Sequence, residues 1–464
     1  MHLKTSAIYL AGRLLPALVS FAAVIWYTHL VTPAQYGAYA LVLLAANVAN
    51  IGLFQWLRVA VLRLAPGESA DLAVLRSTAL AGFGGLVLLS FVPGTLIFLL
   101  APEALRGLVA WIVPLTWGLA WSDLNLDWLR ARLAPWRYSL LALSRSLLTL
   151  GLSLLFVYRG EAERGLLAGA VLGALLPGFL FMPALCGGVR WRHVDFALLR
   201  RMKTYGLPLA ATYLLSGVVG GLDRFLLGAL GGAALVGPYA AAADIARNAL
   251  HTLMQAVNLG AFPLAVRALE QEGEEAARAQ LRHNAVLLAL VSLPAATGLF
   301  VAAPALVTTL LHGAFHAVAL PVFGLVAVAT LLNGWRVFYL DQSFQLGHKT
   351  GPQVWIMGLT LSTGFVLSLF LIPRLGSTGA ALGNICTFAV AAGLSWHWGR
   401  RIFPLPGPDR DFVKIAASAL FMGLALWPFR ATAPLVLQVV AGGGLYVLGL
   451  LVFNVMGLRK SIRL

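Results

Sequence analysis

The fold is decided by the stretch Tyr205–Arg247, which reads YGLPLAATYLLSGVVGGLDRFLLGALGGAALVGPYAAAADIAR. Two long apolar segments rich in Gly and Ala follow each other here. Charges interrupt both segments: Asp223 and Arg224 lie in the first, and Asp244 and Arg247 lie in the second. A charge at bilayer depth costs roughly 2.5–3.5 kcal/mol on insertion scales and persists where it faces a partner or a water-filled cavity. The stretch therefore predicts two membrane-spanning helices whose four charges line an internal cavity.

The composition of the whole chain is that of a membrane protein. Of its 464 residues, 60% are hydrophobic and 11% are charged, and the mean hydropathy is +0.86. Soluble domains carry about 25% charged residues. At about 20 apolar residues per span, the chain contains fourteen candidate spans, and each should be a helix because an isolated strand cannot satisfy its backbone in lipid. We expect an all-α polytopic membrane protein with about 14 transmembrane helices.

Basic residues are distributed unevenly between the loops. In a soluble chain a net charge of +16 would suggest a nucleic-acid partner. Here 24 of the 33 Lys and Arg residues fall on one side of the predicted spans, 5 on the other side and 4 within spans. Cytoplasmic loops are the ones enriched in Lys and Arg. This pattern predicts cytoplasmic N- and C-termini and no nucleic-acid partner.

Features of an enzyme are missing from the sequence. The two cysteines, Cys186 and Cys386, lie in apolar segments and support neither a disulfide framework nor a metal site. No Gly-rich phosphate loop is visible, and no large outer loop carries catalytic polar residues. We expect no catalytic residues, no cofactor and no metal.

Cations within the spans are the candidate substrate-binding residues. An anionic substrate would compensate cations that are costly to bury without a partner, so we expect a polar, net-cationic cavity. For Arg247 the alternative is a structural pair with Asp244, which shares its helix face at i, i+3. The five candidates are Arg13, Arg145, Arg224, Arg247 and Arg336.

Acids within the spans have either an ion-coupling or a structural role. Asp123 and Asp127 lie at i, i+4 on one face, where they could hold a proton or a sodium ion, or could form a three-charge bridge with Arg145 on the next span. Arg336 and Asp341 are five residues apart and are predicted to lie on different faces. The acids with these two alternatives are Asp123, Asp127, Asp223, Asp244 and Asp341.

A short internal repeat indicates two halves. Gly237-Pro238-Tyr239-Ala240 lies 200 residues after Gly37-Ala38-Tyr39-Ala40, and each opens a long apolar stretch. An even number of spans per repeat gives parallel halves. We predict a six-helix bundle over 1–186, a cytoplasmic linker over 187–205, a second six-helix bundle over 206–399, and helices 13 and 14 over 400–464.

Several motifs resemble those of the polysaccharide-repeat (O-antigen and capsule) flippases of the multidrug, oligosaccharidyl-lipid and polysaccharide exporter superfamily. The resemblance runs nearly end to end. It is carried by the stretches Thr32–Tyr39 (TPAQYGAY), Leu222–Gly228 (LDRFLLG), Leu311–Gly313 (LHG), Leu346–Lys349 (LGHK), Leu371–Gly376 (LIPRLG) and Thr378–Ala381 (TGAA).

This resemblance implies a fold and a function. The fold would be two six-helix bundles in a V around a central cavity lined by spans 1, 2, 7 and 8, with spans 13 and 14 forming a groove for a lipid tail. The function would be alternating-access transport of an undecaprenyl-pyrophosphate-linked oligosaccharide for cell-surface polysaccharide synthesis. The expected partners are this lipid-linked oligosaccharide, membrane lipids, H+ or Na+ as a coupling ion, and polysaccharide polymerase machinery. The alternative is a cation-coupled multidrug or metabolite exporter, although that branch carries a carboxylate in its first span and this chain has none there.

Overall fold

The computed structural model describes residues 2–65, 72–180, 187, 189–349, 351–407 and 409–455, and within these ranges the side chains of all residues except 2–11, 13 and 104. The chain divides into two compact units, Met1–Gly221 and Leu222–Leu464. The predicted bundle boundaries at 187–205 and 400 stay a prediction.

In its described residues, the first unit consists of helices. Within it α2 packs on α5, α6 packs on both α1 and α7, and α5 also packs on α7. The long helix α8 begins in this unit and ends in the second. These helices are α1 (His2–Leu30), α2 (Pro33–Leu64), α3 (Leu72–Leu100), α4 (Glu103–Val109), α5 (Ile112–Ala131), α6 (Pro135–Tyr158), α7 (Ala162–Leu180) and α8 (Phe196–Gly231).

The second unit holds the end of α8 and the remaining helices. Here α9 packs on α10 and α12, and α12 packs on α14. The last two helices, α15 and α16, pack on each other, and α15 also packs on α10. The elements are α9 (Ala233–Glu272), α10 (Glu274–Val301), α11 (Ala303–Leu310), α12 (Gly313–Trp335), a π-helical turn (Arg336–Leu340), α13 (Gln342–Leu346), α14 (Gly351–Ile402), α15 (Arg410–Leu426) and α16 (Leu435–Val452).

The expected fold class is confirmed. Within the described ranges, twelve helical segments are long and apolar enough to cross a membrane, and α1 contributes a shorter apolar stretch, Leu14–Leu30. The longest segment, Gly351–Ile402, is two helices joined at Gly376, whose φ of 55° is non-helical. Counting its halves separately gives fourteen apolar helices in the described part of the chain, as predicted.

Local sequence explains where the helices begin and turn. Thr32 and Gln35 form a capping box at the start of α2, with Pro33 at the first helical position. The junctions after α8 and α9 are single glycines, Gly232 and Gly273, with φ values of 79° and 92°. Glycine takes up this left-handed conformation at little cost, so consecutive long helices can reverse direction over one residue.

Exposed apolar surface agrees with a membrane environment. In the most apolar stretch of α3, only 6% of the residues are buried, and Leu88, Val92 and Leu100 are each more than two-thirds exposed. Soluble monomers rarely expose contiguous apolar surface on this scale. The protein is therefore a multi-pass membrane protein, and this face of α3 is suited to contact lipid.

Candidate functional site

The second unit contains a buried carboxylate, Asp223, that three side chains hold. Its Oδ2 accepts hydrogen bonds from Tyr239 Oη at 2.6 Å, Asn384 Nδ2 at 2.8 Å and Arg247 Nη2 at 2.5 Å. Its side chain is 1% exposed. A buried charge is tolerated when it is paired and fully hydrogen-bonded, so Asp223 fixes α8, α9 and α14 against one another through these contacts.

The neighbouring pair is formed by Arg224 and Asp244. Both Nη atoms of Arg224 contact the carboxylate of Asp244, with Nη1 at 3.5 Å from Oδ2. The two pairs are therefore crossed: Arg224 on α8 binds Asp244 on α9, while Arg247 on α9 binds Asp223 on α8. The i, i+3 partnership of Asp244 with Arg247 is replaced by ion pairs between helices.

The first unit contains a comparable cluster around Asp123. Arg145 Nη1 on α6 lies 2.8 Å from Asp123 Oδ1. On the other side, Arg58 Nη1 and Asn50 Nδ2 of α2 each lie 2.9 Å from Asp123 Oδ2. Of the predicted three-charge bridge, the contact between Asp123 and Arg145 is present, and Asp123 is also bound by α2.

Arg58 is the residue whose role the sequence did not reveal. Its Nε lies 2.8 Å from Asp127 Oδ2, so one guanidinium binds both Asp123 and Asp127. Arg58 lies six residues before the end of α2 at Leu64, and for this reason its charge looks like one of the basic residues that orient the protein in the membrane. The signal that could have found it is the need of two nearby carboxylates for a second cation.

A third pair, Arg336 and Asp341, lies across the π-helical turn. Arg336 Nη1 is 3.7 Å from Asp341 Oδ2, and Ser395 Oγ donates to Asp341 Oδ1 at 2.7 Å. The prediction that these residues lie on different faces is wrong, because a π-turn brings residues i and i+5 together. The backbone shows the same geometry, since Asp341 N donates to Arg336 O at 2.8 Å.

The expectation of unpaired cations is wrong for the four arginines whose side chains are described. Arg145, Arg224, Arg247 and Arg336 each contact an aspartate, and the clusters carry equal numbers of positive and negative groups. They are therefore not net cationic at rest. The fifth candidate, Arg13, lies in α1, and its side chain is outside the described residues. Substrate contact by these arginines stays a prediction.

Exposure differs within the pairs. Asp223 is 1% exposed, but its partner Arg247 is 24% exposed; Asp244 is 32% exposed and its partner Arg224 is 12% exposed. In the first unit Arg145 is 25% exposed. An accessible guanidinium can bind a further anion with N–H donors that its carboxylate does not occupy. Bidentate binding of carboxylate or phosphate is what guanidinium groups favour.

Metal-binding geometry does not occur in the part of the chain that is described. No group of three or more His, Cys, Asp or Glu side chains there could hold a metal ion. The aspartates instead bind arginine, Asn, Ser and Tyr donors.

Solved structures place this fold among membrane exporters. The chain is similar to the lipid II flippase MurJ in an inward closed conformation, with a TM-score of 0.76 and 13% identity over 99% of this chain and 100% of that one. It is also similar to a transporter of the MOP superfamily from Pyrococcus furiosus (TM-score 0.57, 15% identity, 86% and 94% of the two chains). A third similar structure is the Vibrio cholerae MATE transporter VcmN (TM-score 0.58, 17% identity, 86% and 95%).

The family follows from the sequence itself. The model of the polysaccharide biosynthesis protein family matches residues 28–320, and the chain belongs to this family. A comparison with curated proteins found no match. The family match thus confirms the predicted polysaccharide family, and the likeness to solved structures confirms the predicted fold.

Proposed function

We propose that the protein is a flippase that moves a lipid-linked oligosaccharide, joined to undecaprenyl by a pyrophosphate, from the cytoplasmic to the outer leaflet of a bacterial inner membrane. The observation that carries the proposal is the family match together with a fold likeness to a lipid II flippase over 99% of the chain. No covalent chemistry is required of the protein. Both termini lie in the cytoplasm, and H+ or Na+ coupling and a polymerase partner belong to the same proposal.

The ion pairs suggest how a neutral site binds an anion. The side chains of Arg247 and Arg145 are about one-quarter exposed, and each forms an ion pair with an aspartate. A substrate phosphate would bind the N–H donors of the guanidinium that its aspartate does not occupy, so the buried aspartate keeps its cation while the substrate is bound. The aspartate therefore keeps the empty site free of an unpaired buried charge, which is costly.

Deletion of the gene tests the proposal in the cell. Lipid-linked oligosaccharide is expected to accumulate on the cytoplasmic leaflet, as measured by its inaccessibility to a glycan-modifying enzyme added outside. Normal distribution of the oligosaccharide, together with altered tolerance to drugs, would contradict the flippase and support a cation-coupled exporter instead.

Removal of one whole ion pair separates a transport role from a structural one. The double variant Asp223→Asn, Arg247→Gln carries no net charge change and leaves no single buried charge behind. We expect it to reach the membrane in normal amounts and to lose at least tenfold of its oligosaccharide transport.

The matched control neutralises Glu274 and Arg278, which form an exposed ion pair one turn apart on α10. Glu274→Gln, Arg278→Gln should transport normally. Full transport by the Asp223, Arg247 double variant would show that this pair only holds helices together.

A further inference from the structure

A small pocket with aromatic walls lies in the second unit, beside the π-helical turn that carries Arg336 and Asp341. It has a volume of about 150 Å³, roughly ten times the ~10–15 Å³ that a single water requires. Trp335, Tyr339, Trp396 and Phe412 contribute its walls. The rings of Trp335 and Tyr339 meet at 72° and those of Trp335 and Phe412 at 86°, with centroids 5.7 and 5.5 Å apart. Steep angles between neighbouring rings make a box and not a stack.

The walls of this aromatic pocket are held in place by polar contacts. Tyr339 Oη donates to the carbonyl of Pro406 at 2.8 Å, and Trp335 Nε1 donates to Ser292 Oγ at 3.2 Å. The polar atoms of the two rings are thus engaged within the protein, and both rings contribute aromatic surface to the pocket. A cation within about 6 Å of such a face is attracted by it, and aromatic boxes recognise ammonium groups in this way.

Two opposite charges also line the pocket, Asp409 and Arg282. Asp409 is the N-cap of α15, and its Oδ1 accepts a hydrogen bond from Phe412 N at 2.9 Å. An ionised carboxylate has acceptor capacity for more than one donor, so Asp409 can also accept from a cation in the pocket. Arg282 is exposed near the start of α10.

The pocket is lined by the ends of four helices, and these ends lie on the same side of the membrane. It is built from the beginnings of α10 and α15 and the ends of α12 and α14. Arg400 and Arg401 lie in the last turn of α14, and Arg410 is the first residue of α15; basic residues of this kind mark the cytoplasmic interface. Lipid headgroups lie at this depth.

We propose that this pocket binds the headgroup of a zwitterionic phospholipid of the cytoplasmic leaflet, such as phosphatidylethanolamine. The headgroup ammonium lies against the aromatic box and donates to Asp409, and the lipid phosphate binds Arg282. A headgroup without an amine, such as that of phosphatidylglycerol, would bring no cation to Asp409 and the rings, and an acyl chain alone would use neither charge. The proposal concerns a site for a bulk membrane lipid and does not depend on the transported substrate.

Native mass spectrometry of the purified full chain tests this site. We expect the protein to retain dioleoyl-phosphatidylethanolamine at least fivefold more than dioleoyl-phosphatidylglycerol, which lacks the ammonium. Asp409→Asn should lower retention of phosphatidylethanolamine at least fivefold. Asn is as good an N-cap as Asp, so α15 keeps its cap and the variant should fold.

Matched controls lie close by on the same helices. Asp411→Asn removes the next acid, which pairs with Lys414 at 3.0 Å, and Arg278→Gln is the counterpart of Arg282→Gln one turn away on α10. Both controls should retain phosphatidylethanolamine as the unaltered protein does, whereas Arg282→Gln should lose it. Equal retention of the two lipids, or equal retention by the Asp409→Asn and Asp411→Asn variants, would overturn the proposal.

Discussion

Asp223 shows at the scale of the residue what the sequence predicts and what it does not. A charge in an apolar stretch is visible in the sequence, and so is the need for compensation. Its partners Tyr239, Arg247 and Asn384 depend on the rotation of three helices about their axes, and no pattern within one helix specifies that rotation. Arg58 was missed for a similar reason, because its position near a helix end fits an orienting charge equally well.

The neutral variant Asp223→Asn should be strongly destabilised. It leaves Arg247 without its carboxylate in a buried cluster, and loss of one partner of a buried pair costs about 3–5 kcal/mol. Glu274→Gln in the exposed pair with Arg278 should cost less than about 1 kcal/mol. Chemical unfolding of the purified protein in detergent measures both.

A double-mutant cycle adds the decisive comparison for this cluster. The double variant Asp223→Asn, Arg247→Gln should be more stable than the sum of its single variants predicts, by about 0.5–3 kcal/mol. Additive losses would mean that the two side chains do not act as a pair.

At the scale of the element, periodicity predicts helices well and their irregularities poorly. The apolar stretches predict the fourteen helices because hydropathy alone identifies a span. A regular helix separates Arg336 from Asp341, and the π-turn over Arg336–Leu340 brings them together. Nothing in the residues RVFYL marks this turn. The repeated motif at 37–40 and 237–240 is informative: both copies are buried near the start of a long helix, α2 and α9.

Contact between α6 and α7 depends on small residues spaced four apart. Gly165, Gly169 and Gly173 form one stripe on α7, and a Cβ added at Gly169 or Gly173 would collide with the backbone of α6 at Ser153 or Thr149. Small residues at this spacing let helices approach closely in membranes. Gly169→Leu should therefore separate the two helices and lower the melting temperature by several degrees in detergent.

Gly151 on α6 provides the control for this stripe, because a Cβ there meets nothing within 4 Å. Gly151→Leu should leave the melting temperature nearly unchanged. If both leucine variants melt alike, the close approach of α6 and α7 does not contribute to stability.

For the whole molecule, the family and the fold agree with the prediction, whereas the pairing of the buried charges changes the expected mechanism of substrate binding. The sequence predicts a polysaccharide flippase of the exporter superfamily, and the family match and the likeness to lipid II flippase MurJ confirm the family and the fold. The sequence also favours a net-cationic cavity, but the described arginines Arg145, Arg224, Arg247 and Arg336 are each paired with aspartate. Counting charges along a chain gives their number and not their partners. A site that is neutral when empty, and whose paired arginines offer their remaining N–H donors to a phosphate, fits both observations.

Transport by the purified protein tests the central claim most directly. The protein is reconstituted into proteoliposomes together with a fluorescent undecaprenyl-pyrophosphate-linked oligosaccharide, and arrival of the glycan in the opposite leaflet is followed by external quenching. The account predicts translocation at least tenfold faster than in protein-free vesicles, and its loss in the Asp223→Asn, Arg247→Gln variant. A rate equal to that of protein-free vesicles, with folded protein present in the membrane, would contradict it.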